Sequence, residues 1–143
     1  VEPSQGDGAD RYAAGDRIRR QVLGDQYVNT MLRGWEPAKP LLDLITEFSW
    51  GTIWTREGLD LRTRSLLNVG MLAALNRPAE LRLHVGGALR NGCTPEELAE
   101  VALQAAVYAG VPVGIDTMKI IREEAESFEA EAGAAAEAPS AER

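Results

Sequence analysis

The apolar residues of this chain recur at intervals of three and four, and between Leu61 and Asn76 they go nearly all the way round a helical wheel. Leu66, Leu67, Val69, Met71, Leu72 and Leu75 are more than one helical face can hold, and much of Val101 to Val107 reads the same way. This period leaves little room for the alternation of half-buried strands, so the spacing predicts an all-α fold. A helix apolar on every side has to be covered on every side. About 115 ordered residues cannot supply that cover alone, because a small domain buries a limited share of its surface. The excess predicts a homo-oligomer in which neighbouring subunits cover what one chain leaves bare.

Local signals divide the chain into a compact bundle of about six to seven helices. Residues 1–9 are rich in Gly, Pro, Ser and acids and read as a disordered N-terminal segment. A helical domain is expected over residues 10–128, followed by an Ala/Glu-rich flexible tail over 129–143. Tyr12 to Leu23 reads as a first helix stopped by Gly24. A second runs from Asp25 to Arg33 with Val28, Met31 and Leu32 facing inward. Pro37 and Pro40 bracket a third start, whose stripe is Leu41, Leu44, Ile45 and Phe48. The aromatic stretch Trp50 to Trp54 is too short to assign. Asp60 is placed to cap the helix that begins at Leu61, and Pro78 suits the first position of the next, which ends at Asn91 before Gly92. Thr94, Pro95 and Glu97 form a capping-box pattern opening a helix to about Tyr108. Gly110-Val111-Pro112 breaks it before a last helix carrying Met118, Ile121 and Phe128.

A net charge of −7 speaks against a nucleic-acid partner, which needs a basic face to displace counterions. It leaves room for a small anionic substrate held by local arginines. Cys93 is the single cysteine, so no intramolecular disulfide can form, which fits a cytoplasmic location. No stretch approaches the roughly 20 apolar residues of a membrane span, and no signal-peptide pattern opens the chain.

His84 is the one histidine, with Glu80 four residues earlier on the same helix face. A carboxylate beside an imidazole favours the protonated ring, which suits a general acid near neutral pH. A surface ion pair or a core histidine bonded to backbone fits the same spacing. Arg64 lies in the most apolar helix, where a guanidinium needs an anionic partner. That partner is either a substrate carboxylate or a glutamate across the bundle. Cys93, with no base beside it, reads as filler. One histidine and no cysteine pair give no zinc spacing, so no metal is expected. Gly70, Gly86 and Gly87 read as close packing or room for a ligand. Trp50 and Trp54, with Trp35, line a pocket or pack a core.

The motif series resembles a known family. Arg11-Tyr12-x-x-Gly15, Arg19-Arg20-x-Val22-Leu23-Gly24-Asp25 and Trp50-Gly51-x-Ile53-Trp54-x-Arg56 are similar to the opening half of 4-carboxymuconolactone decarboxylases. Thr63 to Leu67, Ala73 to Arg77, Glu80 to Val85, Asn91-Gly92 and Tyr108-x-Gly110-Val111-Pro112 continue the series in order. The resemblance covers roughly Tyr12 to Ile121. It implies an alkylhydroperoxidase-like helical fold, a homo-oligomer of hexameric size, and no cofactor. The activity it implies is loss of carbon dioxide from γ-carboxymuconolactone, a small anionic lactone of the β-ketoadipate pathway. Relatives with peroxidase chemistry carry a Cys-x-x-Cys pair just before the histidine; Arg77-Pro78-Ala79-Glu80 stands there instead.

Under this resemblance Arg64 binds the anion, His84 donates the proton or stabilises the oxyanion, and Glu80 orients His84. Arg77 and Arg82 are reserve carboxylate binders, and Trp50 and Trp54 line the substrate. The chain departs from the family pattern at three places. Thr52 stands for an expected Glu, Gly86 for an expected Arg, and Val113-Gly114-Ile115-Asp116 for a small, Asn-containing run. These changes would reshape a small anion's pocket, and the glycines after His84 would admit a larger, flatter ligand. The alternatives are a relative recruited to another cofactor-free decarboxylation, isomerisation or cyclisation in a biosynthetic route, and a non-catalytic helical assembly protein.

Overall fold

The computed structural model describes residues 5–137, and no strand occurs among them. The single domain expected over residues 10–128 is built as two compact units, Val1–Arg64 and Ser65–Arg143.

In the first unit α1 spans Gln5–Leu23 and α2 spans Asp25–Thr30. A single 3-10 turn, Glu36–Ala38, leads into α3, Lys39–Leu44, which continues without a break as a π-helical segment, Ile45–Trp54. α1 begins earlier than the predicted Tyr12, inside the stretch expected to be disordered; residues 1–4 lie outside the described residues. It ends where predicted, because Gly24 takes φ +85°. The unit is organised by the crossing of α1 over the π-helical segment. Buried there are Val22, Leu23, Ala38 and Trp50, together with two polar residues, Arg19 and Thr46. Arg19 Nη1 donates to Thr46 Oγ1 at 3.2 Å, so the guanidinium is engaged in the interior rather than left in contact with carbon alone.

Two expectations for this unit fail. α2 buries none of its residues, and Leu32 is exposed at φ +53°, because the helix ends at Thr30 and the chain turns there. The stripe Leu41, Leu44 and Phe48 points outward, each more than half exposed. Thr46, Trp50 and Gly51 face inward in its place.

α4, Leu61–Ala74, opens on Asp60, whose Oδ1 accepts from the Thr63 amide at 2.7 Å. In the second unit α5 is Pro78–Arg90, α6 is Pro95–Ala109 and α7 is Val111–Glu137. The capping box forms as predicted. Thr94 Oγ1 accepts from the Glu97 amide at 3.2 Å, and the Glu97 carboxylate accepts from the Thr94 amide at 2.9 Å. Gly92 and Gly110 both adopt positive φ at the helix breaks. α7 runs helical to Glu137, through most of the expected tail; residues 138–143 lie outside the described residues.

The core of this unit joins Val69 and Ala73 of α4 to Leu81, Val85 and Leu89 of α5, Leu98 and Ala102 of α6, and Ile120 and Ile121 of α7. Cys93 is part of it, which agrees with the filler reading. The outer faces stay apolar and bare: Leu67, Met71, Leu75, Val107 and Tyr108 are each more than half exposed.

Candidate active site

Every charged candidate except Arg64 sits on or beside α5 in the second unit. Pro78 starts that helix, with Arg77 at its N-cap, and the buried stripe Leu81, Val85, Ala88 and Leu89 turns it against the core. Glu80 and Arg82 consequently lie exposed, and His84 is half-buried at the edge of the core. Its ring nitrogen Nδ1 lies 3.0 Å from the side-chain amide nitrogen Nδ2 of Asn68 on α4. A second link joins the same helices, where Asn91 Nδ2 donates to the fully buried Ser65 Oγ at 3.0 Å.

Burial pushes the His84 pKa down to about 4, and the charge of Glu80 raises it by less. This corrects the expectation that Glu80 keeps the ring protonated. Glu80 is exposed, so its field is screened, while desolvation of the half-buried imidazole penalises the cation directly. The ring is neutral at pH 7. A neutral imidazole donates a hydrogen bond to a developing oxyanion through its N–H, and it passes a proton only as fast as it is replaced.

Arg64 belongs to the first unit. Its Nη2 donates to the Arg56 carbonyl at 3.1 Å, and its Nε is buried without a hydrogen-bond partner. Among the described residues no glutamate forms an ion pair with Arg64. Trp50 and Trp54 stack on one another with centroids 4.7 Å apart, and Trp50 is almost wholly buried; both pack the first unit.

The reserve arginines differ from each other. Arg82 is held by two carboxylates, Glu124 at 2.8 Å and Glu123 at 2.6 Å, so it is poorly disposed to take a third. Arg77 has no ion pair among the described residues. It lines a cavity of about 500 Å³ with Arg82, Val113, Asp116 and Lys119, a cavity that His84 and Glu80 do not line. Two of the residues that depart from the family run, Val113 and Asp116, thus line the same hollow as Arg77. The space beside Gly86 is not empty. A Cβ there would stand 3.5 Å from Arg90 Nη1 and 3.7 Å from Glu124 Oε2, so those side chains use the room foreseen for a larger ligand. Thr52 Oγ1 donates to the Glu47 carbonyl at 3.1 Å. Among the described residues no group of three or more histidine, cysteine or carboxylate side chains is arranged to hold a metal ion.

The sequence reading does not single out Asn68, though a signal is present: an amide in the most apolar helix has to be satisfied by something. The partner it finds across the helix pair is a tertiary contact that spacing along the chain does not encode.

The described residues form an all-helical fold that carries a half-buried histidine on α5. Residues 39–123 match the carboxymuconolactone decarboxylase family, and the chain belongs to that family. It is 46% identical over 105 residues to the nitrosuccinic acid decarboxylase npaB of Metarhizium robertsii, covering 73% of each chain. It is 38% identical over 114 residues to the 4-carboxymuconolactone decarboxylase of Acinetobacter baylyi, covering 79% of this chain and 85% of that one. Both relatives are decarboxylases, and this chain is a carboxy-lyase of the same family.

Proposed function

We propose that the protein decarboxylates a small dicarboxylic acid in which the carbon losing carbon dioxide is joined to an oxygen-bearing electron acceptor, with nitrosuccinate as the leading substrate. The observation that carries this reading is Arg64, whose guanidinium has no ion pair among the described residues and so remains available to a substrate carboxylate. The two relatives act on nitrosuccinic acid and on a carboxylated lactone, and the two acids share one piece of chemistry. When the carbon–carboxylate bond breaks, the electron pair moves into a nitro group or a conjugated carbonyl as an oxyanion. A proton then returns to carbon.

Arg64 is assigned the substrate carboxylate and His84 the oxyanion, which a neutral N–H stabilises without first surrendering a charge. Glu80 orients the ring through its charge. Arg77 is the reserve for a second carboxylate, and Arg82 is demoted by its two glutamates. Trp50 and Trp54 are assigned to shaping the substrate's surroundings through the stacked pair. γ-Carboxymuconolactone is the second reading, favoured by the match of 114 residues to the enzyme named for it. The bare apolar faces of α4 and α6 support a homo-oligomer; its hexameric size rests on the family resemblance, and a cytoplasmic location on the single cysteine.

Incubation with each acid, following carbon dioxide release, tests the reading. Turnover of nitrosuccinate abolished in a folded His84→Gln variant is the expected result. Turnover of the lactone alone would transfer the assignment to the second reading, and full activity of His84→Gln on either acid would overturn the site.

A further inference from the structure

We infer that Asn68 is a positioning residue that sets the tautomer of His84, keeping the ring's single proton on Nε2 and its lone pair on Nδ1. The inference deepens the site reading above and depends on it only for the consequence in catalysis.

The argument begins with donor and acceptor capacity. Asn68 Nδ2 stands 3.0 Å from His84 Nδ1. An amide NH2 group donates and does not accept, so Nδ1 meets it as an acceptor. A neutral imidazole carries one N–H, which this contact leaves on Nε2. The opposite tautomer would set two N–H groups against each other at the same distance. Rotating the amide would avoid that clash, but it would present a different atom of Asn68 to the ring.

The surroundings hold the amide and the ring in register. Asn68 precedes Val69 and His84 precedes Val85, and both valines are wholly buried in one core. The Asn91–Ser65 bond fixes the same two helices at a second point, with Ser65 three residues before Asn68 and Asn91 seven after His84. The pair therefore sits on packed helices rather than on loops, the arrangement that keeps a functional geometry constant. Glu80 acts on the ring through its charge and does not by itself decide which nitrogen bears the proton.

His84 is the only histidine, so the nitrogen spectrum of protein labelled at histidine reports this ring alone. In the unaltered protein near pH 7, Nδ1 is expected at the shift of an unprotonated nitrogen and Nε2 at that of a protonated one. Asn68→Asp replaces the donor by an acceptor of the same shape and is expected to move the proton to Nδ1. Asn68→Leu removes the bond and is expected to give a mixture. Turnover by Asn68→Asp is expected to fall by about 10²-fold in kcat with KM little changed, the scale of a lost acid–base or hydrogen-bond donor.

A protonated Nδ1 in the unaltered protein would overturn the inference, as would a spectrum unchanged in both variants. If Asn68→Asp does not fold, Asn68→Leu and the unaltered protein decide. The spectra need no substrate, so failure of the decarboxylase reading leaves the tautomer result standing. Activity with the wrong tautomer would leave the enzyme reading standing without this device.

Discussion

A Cβ atom on Gly15 would stand 2.0 Å from the carbonyl oxygen of Thr46, closer than any real contact allows. α1 and the π-helical segment therefore touch backbone to backbone, and Gly51 completes the crossing because its own Cβ would meet the Arg11 carbonyl at 2.2 Å. Backbone atoms cannot swing aside as a side-chain tip does, so Gly15→Ala and Gly51→Ala are each expected to cost about 3 kcal/mol or more, the upper end for overpacking. Gly133, in α7, has nothing within 4 Å of its Cβ position. Gly133→Ala is expected to add about 0.5–1 kcal/mol, since alanine is the better helix former. Urea denaturation of the three variants checks the contrast, and equal effects would refute the crossing.

The neutral state of His84 gives a signed dependence on pH. The ring's pKa drops from 6.5 to about 4 on folding, so the unfolded chain binds the extra proton first. Stability is full above about pH 6.5 and declines as pH falls toward 4, by about 3 kcal/mol at most for this group. His84→Gln is expected to flatten that interval of the stability curve. Turnover, if the neutral ring is the working form, shows no acidic limb near pH 6.5. A limb there, absent from His84→Gln, would show that the ring titrates in its ordinary range.

The helix boundaries that were readable rest on chemistry within four residues. Thr94 and Glu97 cap one another, Asp60 caps α4, and Gly24, Gly92 and Gly110 take the positive φ their positions demanded. Burial was less readable. The period that marks Leu41, Leu44 and Phe48 as one face says nothing about which partner covers it, and among the described residues none does. The candidate residues were readable as residue types, while the protonation state of His84 was not. Glu80 and His84 are neighbours along a helix, but the burial of the imidazole, which lowers its pKa, is a tertiary property that spacing along the helix does not encode.

The capping box is the cleanest local test of that distinction. Thr94→Ala removes the acceptor for the Glu97 amide and leaves the core untouched, so about 1 kcal/mol is expected to be lost with an unchanged denaturant slope. A loss near zero would mean that Pro95 and the packing of Leu98 start α6 without the cap.

Exposed apolar side chains on α4 and α6 lead to a prediction about assembly. Leu67, Met71, Val107 and Tyr108 are too many large hydrophobic groups for one chain to leave in water. Light scattering on the purified protein is expected to give a multiple of the 15.5 kDa chain. Met71→Glu with Val107→Glu is expected to shift it toward monomer. A monodisperse monomer in the unaltered protein would refute the assembly.

Arg64 carries the sharpest prediction about catalysis. Its Nη2 is bound to a backbone carbonyl, which leaves the positive charge without a negative partner among the described residues. A substrate carboxylate supplies that partner through charge-assisted bonds worth about 1.5–3 kcal/mol, or roughly 10- to 100-fold in kcat/KM. Arg64→Ala is expected to lose at least that much, and Arg64→Lys to recover only part of it, because an ammonium keeps the charge without the planar fork. Added guanidinium is expected to restore some activity to Arg64→Ala and none to His84→Gln. If Arg64→Ala retains full kcat/KM on every acid the protein turns over, the substrate's anion is held elsewhere, and Arg77 becomes the residue to replace next.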